Sequence, residues 1–123
     1  MTTILVIEDN PDNMALIEQI LEDEGFETLK TDRAEDGIKQ LKTSTVRVDL
    51  ILMDISLPVM NGLEATGMIK QDPLLKDIPL IVLTAHAMET DKEAAFSAGC
   101  NDFLSKPIDE DKLLAAINHY LKK

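Results

Sequence analysis

Residues 50–54 read LILMD, four consecutive apolar side chains closed by a carboxylate. A strand with one face in water alternates apolar and polar residues. A run that is apolar at every position suits a strand covered on both faces, as in a parallel sheet between helical layers. Two further runs have the same form, Ile4–Ile7 and Leu80–Leu83. Thr28–Thr31 and Asp102–Ser105 are weaker candidates that carry polar residues and are expected nearer a sheet edge.

The intervening segments have helical period and marked ends. Asn10 is placed to cap a first helix, with Pro11 at its first position, Met14, Ile17 and Leu21 as its apolar stripe, and Gly25 just past its end. Asp32 with Glu35 predicts a capping box for a second helix bearing Ile38 and Leu41. Asn61-Gly62 opens a third, ending near Lys70 before Asp72-Pro73. Thr90 with Glu93 predicts the start of a fourth, ending at Gly99, and Asp109 caps a fifth with Leu113, Leu114, Ile117 and Leu121 on one side. Five β-α units with no internal linker or repeat predict an α/β fold, (βα)5, whose parallel sheet has helices on both faces and right-handed crossovers. This pattern leaves the strand order open.

The 123 residues suit one domain, 1–123, and 45% hydrophobic content is enough for a core without metal or disulfide staples. No apolar stretch is long enough for a membrane span, and the N-terminus lacks a basic region, so a cytoplasmic protein is expected. Cys100, the single cysteine, reads as a small packed residue in a reducing compartment. A net charge of −11 argues against nucleic-acid binding, which draws its affinity from cations meeting phosphates.

In open α/β sheets ligands bind beyond the carboxyl ends of the strands. Those positions hold Glu8 and Asp9 after the first run, Asp54 after the third, Thr84 after the fourth and Lys106 after the fifth. Each alone is an ordinary polar strand end. Together they place three carboxylates, a hydroxyl and an ammonium at one sheet edge. Crowded carboxylates raise one another's pKa unless compensated, and Mg²⁺ is a natural compensation because it takes a few carboxylates plus water and phosphate oxygens. With Lys106 beside a carboxylate nucleophile, phosphoryl transfer to Asp fits this set.

The segments ILVIEDNPDNM, DLILMDISLPVMNG, IPLIVLTAHAM and AGCNDFLSKPI resemble those of response regulator receiver domains of the CheY-like superfamily. The resemblance covers the whole chain and is greatest to single-domain DivK-like regulators and hybrid-kinase receivers. It implies a flavodoxin-like strand order 2-1-3-4-5 and a two-component phosphorelay function. Asp54 would accept a phosphoryl group from a histidine kinase or histidine phosphotransfer protein. Asp9, Asp54 and the Ser56 carbonyl would hold Mg²⁺, and Glu8 would reach it through water. Lys106 would bridge Asp54 to the phosphoryl group, and Thr84 would follow that group together with Phe103, where the family often has an aromatic switch. Phe103 lacks a hydroxyl, so a switch there would act by packing. The Lys106-Pro107 peptide is commonly cis in the family.

With no output domain after the fifth helix, signalling would run through contact with a downstream protein target. The chain would be a monomer or weak dimer, and it would catalyse only its own phosphorylation and dephosphorylation. Phosphodonor docking is expected at Asn13, Met14 and Ile17 on the first helix and at Pro107 and Ile108 after Lys106. His86 reads first as an exposed loop histidine, with an influence on hydrolysis as the alternative; His119 is expected on an exposed face, and the six methionines read mostly as core filler, with Met14 and Met88 as candidates for partner surfaces. A flavodoxin-like carrier is disfavoured by Glu8-Asp9 in the first loop and by the absence of Trp. A haloacid-dehalogenase-like phosphatase is disfavoured by Ser56, where a second Asp would be needed. The remaining alternative is a degenerate receiver-like scaffold that binds partners without phosphorylation.

Overall fold

The structure, a computed structural model, describes residues 2–43, 47–55, 61–85 and 89–121. Strands and helices alternate: β1 (Thr3–Ile7), α1 (Pro11–Asp23), β2 (Glu27–Thr31), α2 (Ala34–Thr43), β3 (Leu50–Asp54), α3 (Gly62–Gln71), β4 (Leu80–Thr84), α4 (Glu89–Ala98), β5 (Asp102–Ser105) and α5 (Glu110–Leu121). The five strands pair in parallel in the order β2-β1-β3-β4-β5. This is the expected doubly wound fold. Its reversal of strand order beside β1 brings the carboxyl ends of β1 and β3 together, and β4 and β5 follow.

All five residues of β1, β3 and β4 are buried, and the reason is visible in their side-chain alternation. Leu5, Ile7, Ile51, Met53, Leu80 and Val82 pack with Ile38, Ile69 and Ala95 of α2, α3 and α4. Ile4, Val6, Leu50, Leu52, Ile81 and Leu83 face the other way, onto Ile17, Leu21, Leu113 and Ile117 of α1 and α5. Every position therefore meets one of two cores, and hydropathy alternation disappears. The edge strands β2 and β5 keep partly exposed residues, as their polar content predicts. Cys100 is buried in the α2–α4 core, and burial pushes its thiol up to about 11.

Asn10 caps α1 by accepting from the N–H groups of Asp12 and Asn13 at 2.9 and 3.0 Å. Asn61 caps α3 through the Glu64 N–H, and Asp109 accepts from the Lys112 N–H at the start of α5. The capping box at α2 does not form as expected. The helix opens one residue later, with the Arg33 carbonyl taking the Gly37 N–H, while Glu35 Oε1 is buried without a hydrogen bond. Two strands run one residue further than their apolar runs, because Asp54 and Thr84 still pair in the sheet. The Lys106-Pro107 peptide is cis.

Candidate functional site

Glu8 follows β1 directly, and its backbone N–H is tied to Thr31 O at 3.0 Å. Its side chain turns inward and is only 1% exposed. Oε2 accepts from the Asn10 N–H at 3.2 Å, so the residue that caps α1 also orients this carboxylate. Asp9, the next residue, is exposed, while Asp54 at the end of β3 is buried. The carboxylates of Glu8, Asp9 and Asp54 each offer an oxygen within 4.8 Å of the others.

Lys106 approaches this group from the end of β5. Its Nζ lies 2.7 Å from Glu8 Oε1 and 3.4 Å from Asp54 Oδ2. Its backbone N–H donates to Thr84 O at 2.7 Å, so the ends of β4 and β5 are joined behind the ammonium. The approach to Glu8 is a close ion pair, and the ammonium is the charged partner of the buried Oε1. Thr84 is completely buried at the end of β4, beside Leu83, whose register partner is Asp54.

The electrostatics follow from burial and crowding. Burial is the main reason that the Glu8 carboxyl is raised to about 7; Lys106 opposes the rise and Asp54 adds to it. Asp9 is raised in the same direction, by burial first and then by Asp54. Three carboxylates against one ammonium leave an excess of two negative charges when all are ionised. That excess negative charge and the all-oxygen donor set fit a hard divalent cation.

Gly62 has a role that the sequence reading missed. It donates its N–H to Ile55 O at 3.1 Å, and a Cβ there would fall 2.3 Å from Asp54 O and 2.5 Å from Ile55 Cα. The start of α3 thus rests on the backbone of the residue bearing the central carboxylate. The Asn-Gly pair was legible as a turn, but its contact across the loop was not.

The chain matches the family model for the response regulator receiver domain over residues 4–118. It belongs to the response regulator receiver family. Among curated proteins this receiver is similar to the polar-differentiation response regulator DivK of Brucella anthropi, 40% identical over 97% of this chain and 95% of that protein. DivK of Brucella ovis is 39% identical over the same shares. A putative response regulator from Chloroflexus aurantiacus has a solved structure that aligns with a TM-score of 0.93 at 28% identity, covering 99% of this chain and 98% of that one. The receiver domain of a sensor histidine kinase from Pseudomonas aeruginosa, solved with a magnesium ion in its active-site cleft, gives a TM-score of 0.90 at 33% identity and the same coverage.

The structure brings Glu8, Asp9, Asp54 and Lys106 of this receiver together, with Thr84 at the adjoining strand end. Ser56, Pro58, His86 and Met88 lie outside the described residues. Phe103 is half-buried against the α2–α4 core. With Pro107, Ile108 and Lys112 it lines a cavity of about 220 Å³ between β5 and α5. Asn13 and Met14 are half-buried, and Met14 also lines an open depression beside Glu8 and Asp9. Ile17 must be removed from the docking surface: it is 0% exposed, packed between α1 and the sheet with Ile20 and Leu21. Its place in the apolar stripe of α1 sends it to the core. His119 is exposed, edge-on to Tyr120 at 4.8 Å. Among the described residues no helix is long and apolar enough to cross a membrane.

Proposed function

We propose that this receiver accepts a phosphoryl group on Asp54 from a phosphohistidine of a kinase or phosphotransfer protein. The observation that carries the reading is the convergence of Glu8, Asp9, Asp54 and Lys106 on one point at the strand ends. An oxygen of Asp54 forms the new O–P bond as the P–N bond to the donor imidazole breaks, and the imidazole nitrogen keeps the electron pair. Asp9 and Asp54, with the carbonyl of Ser56, would hold Mg²⁺, and Glu8 would reach it through water. Bound there, the ion would neutralise carboxylate and phosphoryl charge. Lys106 lies where it can steady an oxygen of the transferring group while staying paired with Glu8. Thr84 is the hydroxyl that would follow the phosphoryl group and, with Phe103, pass its arrival to β4 and β5.

The same residues would let water attack the phosphorus, breaking the O–P bond to Asp54, restoring its carboxylate and releasing inorganic phosphate, so the chain acts on its own acyl phosphate and not as an enzyme on free substrates. Asn13, Met14, Pro107 and Ile108 form the donor-facing surface, and a downstream protein reads the phosphorylated state. Incubation with acetyl phosphate should add one phosphoryl mass only in the presence of Mg²⁺. Asp54→Asn should add none while keeping the wild-type circular dichroism spectrum. Equal labelling of that variant would move the acceptor elsewhere, and a wild-type chain that takes no label would favour the scaffold alternative. Met14→Glu should slow transfer from a phosphohistidine donor at least tenfold and leave acetyl phosphate labelling within twofold.

A further inference from the structure

At the end of the sheet opposite Asp54, a single side chain joins three segments. The Lys70 ammonium, near the end of α3, donates to Lys76 O at 3.1 Å, Ile78 O at 2.7 Å and Asn101 Oδ1 at 2.8 Å. An ammonium has three hydrogens, so its donor capacity is filled. Asn101 Oδ1 also accepts the Leu80 N–H at 2.9 Å, and its carbonyl accepts the Tyr120 hydroxyl at 2.6 Å. The Lys70 stem packs on Gly99, where an added Cβ would lie 2.9 Å from Lys70 Cβ and Cγ. Gly99 also has φ +109°, a conformation that side chains disfavour, so the turn is held to glycine on two counts. The turn that ends α4 is therefore fastened to α3, to the start of β4 and to α5.

The remainder of α4 is held differently. Ala95 is the one buried side chain among those described in this helix; Thr90, Lys92 and Glu93 are exposed, and Asp91 is half-exposed. A helix with so little apolar contact gains little from staying in one place, whereas the turn that follows it, through Asn101, carries the hydrogen-bond network in which the Lys70 ammonium is saturated. We propose that Lys70 fixes the Gly99–Asn101 turn as the pivot of α4, so that phosphorylation moves the first turn of the helix and leaves its last turn in place. The inference rests on the reading of Asp54 as the phosphoryl acceptor and adds how its state is transmitted.

Amide chemical shifts and hydrogen exchange, with and without beryllofluoride and Mg²⁺ as a phosphoryl mimic, test it on the wild type and on Lys70→Met. Methionine keeps the stem against Gly99 and removes the ammonium. In the wild type the mimic should shift the amides of residues 90–93 at least threefold more than those of 99–101. In Lys70→Met that ratio should fall toward one, and exchange at Gly99, Cys100 and Asn101 should quicken at least tenfold when the mimic is bound. A purely structural lysine would lower stability in both states and leave the ratio unchanged, which would overturn the pivot. Comparable shifts at both ends of α4 in the wild type would overturn it as well, even if the variant failed to fold. A wild type with no response anywhere would remove the acceptor reading itself, and the pivot with it.

Discussion

Glu8 holds a carboxylate where water cannot reach it, with one oxygen on the Asn10 N–H and the other facing Lys106. Burial raises its pKa from an ordinary 4.5 to about 7, so the folded chain binds this proton more tightly than the unfolded chain does. Stability from that proton is full below pH 4.5 and is lost as the pH rises through 7, where the folded state must carry the charge. In the presence of EDTA, the metal-free protein should therefore lose stability between pH 5 and pH 8, by up to about 3 kcal/mol for a shift of this size. Glu8→Gln cannot titrate and should flatten most of the slope in urea titrations. The exposed Asp9, raised in the same direction, leaves a smaller residual slope. An unaltered slope in Glu8→Gln would show that another group is responsible. The position of Glu8 after a strand was legible from the sequence. Its full burial was not, because it depends on the Asn10 amide and on a lysine 98 positions away meeting at one point.

Among the elements outside the sheet, α3 is tied to Asp54 through its first residue, which touches the backbone that carries the carboxylate. Gly62→Ala places a methyl group 2.3 Å from Asp54 O, a contact that only a backbone shift can relieve. Overpacking of this kind costs about 1–3 kcal/mol. A displacement of the nucleophile near 1 Å can slow a reaction on the order of 100-fold. Gly67, in the same helix, has nothing within 4 Å of an added Cβ, so Gly67→Ala is the matched control and should stabilise by up to about 1 kcal/mol. Acetyl phosphate labelling should be slowed at least tenfold by Gly62→Ala and unchanged by Gly67→Ala. Equal rates in the two variants would disconnect α3 from the geometry of Asp54. The elements themselves were readable because each strand run is bounded by turn residues and three helix caps are carried by Asn or Asp. The exceptions have local causes. Hydropathy ended β3 and β4 one residue early because sheet pairing continues into Asp54 and Thr84. At α2 a capping pattern was present, but the chain entered the helix at Arg33 instead. Ile17 belongs to the core and not to a docking surface, because its spacing places it in the apolar stripe of α1.

For the whole molecule, the charge at the strand ends is set against a fold held by two apolar cores. The cores supply the stability, and the acidic site opposes it: the chain carries −11 overall, and three of its carboxylates meet within 4.8 Å. A cation that binds only the folded arrangement relieves this repulsion and stabilises by mass action, about 1.4 kcal/mol when its concentration is ten times Kd. For a domain of this size that corresponds to a rise in Tm of roughly 3–6 °C. Mg²⁺ should produce this rise at constant ionic strength, and EDTA should reverse it. Asp9→Ala removes a carboxylate that is exposed, contributes little packing and is raised by partial burial and then by Asp54, so its loss should leave the metal-free Tm unchanged or higher. The same variant should lose most of the Mg²⁺-induced rise, because the ion would keep only one directly available carboxylate at Asp54. These two changes have opposite signs, which separates loss of a ligand from general damage to the fold. A full Mg²⁺-dependent rise in Asp9→Ala would place the ion elsewhere. A large fall in the metal-free Tm would instead mean that Asp9 supports the structure.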